Sequence, residues 1–317
     1  MAAGRSKRIL VVRNDKLGDF MLAWPALAML RRSLPDCELH VLVNAYTEGM
    51  ARLCPAVNEV VLDPGPDGDR AAQRALIKTL RAQRYDVAIT LYSTTRIAWA
   101  LLRAGIVYRL APATKFAQVL YNHRLTQRRS RSLQPEYVYN EELAQHYLQE
   151  IGVQPMRGEA PFLSFNKDDI ATLRAAFCAR HGIDAKHQLI FLHPGNGGSA
   201  RNLDAAQYGA LAAHLQSQHG HHVVITAGPG EVEHARAISA LLSDTPHTVF
   251  ASTAGLARFA MHIAYADLFI AGSTGPLHIA GALNINTAAF YPRRRSATAL
   301  RWQTINTPEH RLVFSPP

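Results

Sequence analysis

Short apolar runs that pass through a glycine- or acid-bearing loop into helical periodicity recur along this 317-residue chain, and that alternation leaves few folds open. Lys7-Arg-Ile-Leu-Val-Val12 runs into Arg13-Asn-Asp-Lys-Leu-Gly-Asp19, and 20–30 follows with helical character. Pro35 and Asp36 stop that helix, 38–44 alternates as a second strand, and 57–62 makes a third. A basic helix over 71–84, a strand over 86–91 and an amphipathic helix over 96–104 continue the series. Strands that alternate with helices predict a parallel, doubly wound sheet.

The rhythm then starts again. A helix over 141–151 ends at Gly152, and 153–161 reads as a connector because prolines bracket small and polar residues. A helix over 168–181, a strand over 189–193, the glycine-rich loop His193-Pro-Gly-Asn-Gly-Gly-Ser199, a helix over 204–219 and a strand over 223–227 follow. Single cores stop growing at roughly 250–300 residues, so two domains are expected, 1–155 and 156–317, with the final segment packing back on the first. Glycine-bearing loops then stand at the carboxyl ends of several strands, the edge where open α/β sheets bind ligands.

One loop is built more specifically. Phe269-Ile-Ala-Gly-Ser-Thr-Gly-Pro-Leu-His278 carries a buried strand into Gly272-Ser273-Thr274-Gly275, and an apolar helix begins at Pro276. Glycine lets backbone come close to a guest, the hydroxyls of Ser273 and Thr274 offer a cap, and proline suits a first helical turn. The free N–H groups and partial positive charge of that helix end favour an anion, phosphate above all, although an ordinary capped connection uses the same residues.

Other positions keep two readings. Asp19, beside Gly18, either caps the following helix or serves as a general base toward an acceptor hydroxyl. Arg201 either neutralises a diphosphate leaving group or lies on the surface. Glu231, after Gly228-Pro-Gly230, takes the two hydroxyls of a ribose or caps the next helix, and His278 donates to phosphate or is packed. His219, His221 and His222 lack metal-ligand spacing, and no P-loop, HExxH or nucleophile elbow appears, which weighs against kinase, metalloprotease and hydrolase chemistry. Cys37, Cys54 and Cys178 are scattered as buried thiols of a reducing cytoplasm would be. Neither a signal-peptide core nor a membrane-length apolar run is evident, so a cytoplasmic protein is expected. The formal charge of +10 calls for an acidic partner, and it concentrates in one place: no acid lies between Asp86 and Glu136, where Arg96, Arg103, Arg109, Lys115, Arg124, Arg128, Arg129 and Arg131 fall. No set of stacking aromatics accompanies these arginines, which argues against nucleic acid.

Taken together, Lys16-Leu-Gly-Asp19 with Trp24-Pro25, Phe191-Leu-His-Pro-Gly195 with Arg201, Gly228 to Glu231, and Gly272-Ser-Thr-Gly-Pro-Leu-His278 resemble glycosyltransferase family 9, the bacterial heptosyltransferases of the lipopolysaccharide inner core. The resemblance covers most of the chain. It implies a GT-B fold: two Rossmann-like domains facing a cleft, the first binding acceptor and the second nucleotide-sugar donor. It implies an inverting transferase without metal or other cofactor, moving a heptose from ADP-heptose to a phosphorylated Kdo-lipid A acceptor at the cytoplasmic surface of the inner membrane. Asp19 matches the catalytic base. Gly195, Asn196, Arg201, Glu231, Ser273, Thr274, Gly275 and His278 fall on the donor side, and Arg13, Lys16, Arg124 and Arg128 on the acceptor side. The chain departs from the pattern at two points: Ser273 stands where many heptosyltransferases have Asp, and Asn202-Leu203-Asp204 follows Arg201 where Trp-Pro is common. Alternatives are transfer of another sugar nucleotide, a binding protein without catalysis, and a sugar-nucleotide epimerase on the same fold.

Overall fold

The computed structural model describes residues 6–114, 116–195, 203–242 and 245–315, and the chain divides into two compact units, 1–162 and 163–317. The division falls between Phe162 and Leu163, beyond the proline-bracketed connector rather than at 155. Each unit is a six-stranded parallel sheet with helices as crossovers.

In the first unit β1 (Arg8–Val12), β2 (Glu38–Asn44), β3 (Glu59–Asp63), β4 (Val87–Thr90), β5 (Tyr108–Pro112) and β6 (His123–Leu125) lie in the order β3-β2-β1-β4-β5-β6. Val11 sits opposite Val41 on one side and Ile89 on the other, so β1 is covered on both edges and both faces and carries no polar side chain between Ile9 and Val12. Leu10, Val12, Leu42, Leu76, Leu80, Ile97 and Leu101 form one buried cluster on one side of the sheet. Elsewhere in the unit the helix Trp24–Ser33 packs along the helix Glu136–Glu150, burying Trp24, Leu27, Leu143 and Tyr147. Truncating a core leucine such as Leu10 to Ala would cost about 2–5 kcal/mol.

The second unit repeats the plan. Strands β7 (Leu189–His193), β8 (His222–Ala227), β9 (His247–Ala251), β10 (Leu268–Gly272), β11 (Thr287–Phe290) and β12 (Arg311–Phe314) are ordered β12-β11-β10-β7-β8-β9. Read from the other edge this is the same 3-2-1-4-5-6 sequence, so strand order reverses between β1 and β4 in one unit and between β7 and β10 in the other. Ligands of doubly wound sheets bind at such reversals. The final segment contributes β12, paired in parallel with β11.

Local signals account for the helix ends that frame these points. Asp204 starts the helix Ala205–His219 through a capping box with Gln207, and Gly220, at φ +64°, closes it. The expected single helix over 20–30 is two, Leu17–Met21 and Trp24–Ser33, because Pro25 needs a first-turn position and restarts the hydrogen-bond ladder. Cys37, Cys54 and Cys178 are all buried free thiols.

Candidate active site

After β1 the chain turns through Asn14 and Asp15 into the short helix Leu17–Met21, whose N-cap position belongs to Lys16. Asp19 is in the first turn rather than at the cap, and its Oδ1 accepts a bond from Arg13 Nη2. Arg13 is 3% exposed, so its charge depends wholly on neighbours. Its Nε donates to Asp15 Oδ1 at 2.9 Å, and Nη1 to Glu136 Oε1 at 3.1 Å and Asn140 Oδ1 at 3.3 Å. Glu136 also receives Arg129 Nη1 at 2.7 Å, and Asn140 donates to the Leu22 carbonyl at 3.0 Å, tying the network to the start of the next helix.

Three carboxylates thus share two guanidinium groups. Burial works against the charge of Arg13, but Asp15, Asp19 and Glu136 together hold it protonated well above its ordinary range. Burial raises the Asp19 carboxyl to about 6; Arg13 opposes the rise, while Asp15 and Glu136 add to it. A carboxylate titrating near 6 is ionised at neutral pH yet more basic than a solvated one, which suits proton abstraction.

The acceptor-side assignments separate here. Arg13 is buried and paired with Asp15, Asp19 and Glu136. Lys16, Arg124 and Arg128 are exposed.

In the second unit three loops converge on the carboxyl edge of the sheet. Glu231 occupies the N-cap position of the helix Val232–Ala240 without a side-chain bond to that helix. Its Oε2 turns back to accept the Gly228 N–H at 3.0 Å, a turn that Gly230 permits at φ +81°. The carboxylate lies against Gly195, where a Cβ would come within 2.2–2.3 Å of it. His193 ends β7 fully buried, with Nε2 3.6 Å from Glu231 Oε2 and Nδ1 2.9 Å from Thr226 Oγ1. Because Thr226 donates to the Leu192 carbonyl at 3.3 Å, it accepts from His193, which assigns the proton to Nδ1 and leaves Nε2 as an acceptor. Burial lowers His193 to about 4 against the pull of Glu231, so the ring is neutral. His193 stands in the Phe191-Leu-His-Pro-Gly195 motif but had no role from sequence; a polar residue closing a five-residue buried run is the signal that marks it.

The 272–278 turn follows β10. Thr274 takes the N-cap position of the helix Gly275–Ala282, yet makes no side-chain cap bond. Its Oγ1 is buried without a hydrogen-bond partner, and so is His278 Nδ1 one turn later. His278 is lowered to about 4 by burial alone and is neutral. These two orphaned polar atoms stand one turn apart at the start of one buried helix, each costing about 1–3 kcal/mol while it stays unpaired. Ser273 is half-buried beside them, and Pro276 removes an N–H the turn does not need. Asn196 and Arg201 lie outside the described residues. Among the described residues no cluster of His, Cys, Asp or Glu suits a metal ion.

Comparison with known proteins gives the chain its family and fold. Residues 73–306 match the family model for glycosyltransferase family 9 (heptosyltransferase), a span holding β7 to β11 and their loops. A Haemophilus influenzae protein described as an unconfirmed glycosyltransferase is 44% identical over 314 residues, covering 98% of this chain and 90% of its own, and so includes the Asp19 loop. Among solved structures, a family 9 glycosyltransferase of Veillonella parvula superposes with a TM-score of 0.81 at 16% identity, covering 98% of this chain and 86% of that one. The ADP-heptose lipopolysaccharide heptosyltransferase II of Escherichia coli gives 0.78 at 20% identity, covering 98% and 90%. At those identities the structures establish the GT-B fold, whereas the family match and the 44% relative reach further: the chain belongs to glycosyltransferase family 9 and is a heptosyltransferase-like glycosyltransferase.

Proposed function

We propose that the protein moves a heptose from ADP-heptose to a Kdo-lipid A acceptor by a single inverting displacement. The observation that carries this is the pair of buried, unpartnered atoms, Thr274 Oγ1 and His278 Nδ1, at the start of the helix after β10. A diphosphate at that helix end would accept from the Thr274 hydroxyl and from the first-turn N–H groups, and from His278 in its Nδ1–H tautomer. The first unit binds acceptor; the second binds donor. Glu231 and His193 present two acceptor atoms 3.6 Å apart, an arrangement that the two hydroxyls of a ribose would satisfy, each donating to one of them.

Asp19 takes the proton from the acceptor hydroxyl, the oxygen attacks the anomeric carbon, and the bond to the diphosphate breaks with ADP carrying off the electron pair. The helix end and Arg201 stabilise the charge that grows on the leaving group, which removes the need for a metal. The E. coli structural neighbour is itself an ADP-heptose enzyme of lipopolysaccharide, which supports the choice of donor and pathway. No helix among the described residues is long and apolar enough to cross a membrane, and a lipid-linked acceptor would be met as a peripheral protein on the cytoplasmic face.

The test is release of ADP with Kdo-lipid A, run across ADP-heptose, UDP-sugars and GDP-sugars with mass detection of the product. Transfer from ADP-heptose supports the reading; product from another nucleotide sugar alone replaces it. That second outcome is favoured by one observation, half-buried Ser273 where many heptosyltransferases carry an acid. ADP binding with no transfer from any donor would leave a binding protein.

A further inference from the structure

From Arg70 to Pro135 the chain has thirteen lysines and arginines and one acid, Asp86, whose carboxylate is already occupied by the Arg8 backbone N–H at 2.8 Å. Within this stretch the helix Arg70–Gln83 packs against the helix Thr95–Arg103, which packs in turn against the short 3-10 segment Phe116–Leu120. Their inward residues, Leu76, Ile97, Leu101 and Ala117, belong to one buried cluster.

The outward residues do not fit an ordinary solvated face. Phe116 is 81% exposed, Val119 60% and Trp99 49%; Leu102 lies three positions from Trp99 on the same helix face and is exposed too. Val107, in the turn after that helix, is 76% exposed. Single exposed apolar residues need no explanation, but an aromatic-led group on two elements that pack together does. The Arg103 guanidinium lies over the Trp99 ring at 5.7 Å, so charge and aromatic surface are presented side by side.

Some of the arginines are spoken for. Arg96 binds Asp63 through both Nη atoms, Arg129 binds Glu136, and Arg109 bonds the carbonyls of Ile106 and Leu120. Arg74, Lys78, Arg103, Arg124, Arg128 and Arg131 remain exposed along the same stretch.

We propose that this face docks on an anionic lipid bilayer, with Trp99, Leu102, Phe116 and Val119 entering the headgroup boundary and the neighbouring basic side chains resting on lipid phosphates. The inference rests on the reading of the acceptor as lipid-linked. A second copy of the chain is a poorer occupant: pairing this face with itself sets cations mostly against cations, with Asp86 already bound and the exposed acids Asp67 and Asp69 confined to the start of the helix Arg70–Gln83. An anionic leaflet supplies the missing charge, and each basic residue near it contributes about fivefold to partition. Aromatic side chains are the ones that settle at such a boundary.

The experiment is cosedimentation of the full chain with vesicles of equal parts phosphatidylglycerol and phosphatidylcholine, and with phosphatidylcholine alone, at low and high salt. Binding is expected to the anionic vesicles only, to weaken with salt, and to shift the tryptophan emission to the blue, a shift that Trp99→Phe removes. The triple variant Trp99→Ser, Phe116→Ser, Val119→Ser should lose about tenfold or more in partition, since three interfacial side chains are deleted. Its melting temperature and its ADP release with an acceptor freed of acyl chains should match the parent. No binding to anionic vesicles, equal binding to neutral ones, unchanged binding of the triple variant, or self-association that the triple variant abolishes without vesicle binding would each overturn the proposal. Vesicle binding by a chain that transfers no sugar would fail the functional reading and leave the docking surface standing.

Discussion

At the carboxyl end of β1 every side-chain nitrogen of Arg13 is engaged and three carboxylates crowd around it; at the carboxyl end of β10 Thr274 Oγ1 and His278 Nδ1 are buried with nothing to bond. Both places sit where strand order reverses in sheets of the same topology. The Arg13 network is paired before any ligand arrives, although Asn14 Oδ1 beside it is buried without a partner, so the carboxyl of Asp19 is held in one geometry with a tuned proton affinity. The second stores unsatisfied polarity that a bound anion would release. Substitution should therefore act with opposite sign on the unliganded protein at the two places: loss of a member of the first network other than Asp19 destabilises, and loss of an orphan in the second stabilises.

The largest effect is expected from Asp19→Asn. Turnover should fall by about 10²–10⁴-fold, the range for a general base, while ADP binding measured by calorimetry stays at the parent value. Undiminished turnover would remove Asp19 from the chemistry. The same variant carries a stability test. The folded carboxyl is raised to about 6, above the ordinary value near 4, so the ionised form is disfavoured by folding. Stability tied to this group is fully present below pH about 4 and is lost as pH rises through about 6. Asp19→Asn should consequently melt with the parent near pH 4 and above it at pH 8, by of order 1–3 kcal/mol.

Arg13→Met comes next. Removing one partner of a buried ion cluster strands Asp15, Asp19 and Glu136 together and should cost about 3–5 kcal/mol in denaturant unfolding. Arg13 is the group that holds the Asp19 carboxyl down, so whatever activity survives should show the acidic limb of its kcat/KM profile moved to higher pH. A limb that stays in place would mean that Arg13 supports the fold without setting the base.

These two predictions depend on contacts that spacing along the chain does not reveal. Arg13 and Glu136 are 123 residues apart and meet because the helix Glu136–Glu150 packs on the helix Trp24–Ser33. Asp19 was legible as a loop acid, but its environment is a tertiary fact. The doubly wound class was legible because β1, β4, β7, β8 and β10 are nearly continuous apolar runs, as strands buried on both faces must be, and β2 alternates. The strands β6, β9 and β12 were not, since each is short and partly solvated, and the three apolar residues that end β9 and β12 are too few to mark a strand. Glu231 was legible as an acid in a glycine turn. That it bonds the Gly228 N–H and presses on Gly195, and leaves its own helix uncapped, is not visible in the motif.

Gly195→Ala perturbs the donor side less drastically. A methyl 2.2–2.3 Å from the Glu231 carboxylate must push it aside, and with it the pairing to His193. The expected outcome is about a tenfold rise in donor KM with kcat little changed, the pattern of lost uniform binding. A fall in kcat at constant KM would instead place Glu231 in the transition state.

The smallest effect discriminates most directly between the two places. Thr274→Val keeps the shape of the side chain and deletes the orphaned hydroxyl, so the unliganded protein should gain up to about 1 kcal/mol in thermal or denaturant unfolding. Addition of ADP should then raise the melting temperature of the variant less than that of the parent, because the bond the hydroxyl reserves for the ligand is gone. A variant less stable than the parent without ligand would show that Thr274 Oγ1 already serves the fold. The 272–278 turn would then resemble the Arg13 network, and the orphan pair would no longer point to a diphosphate.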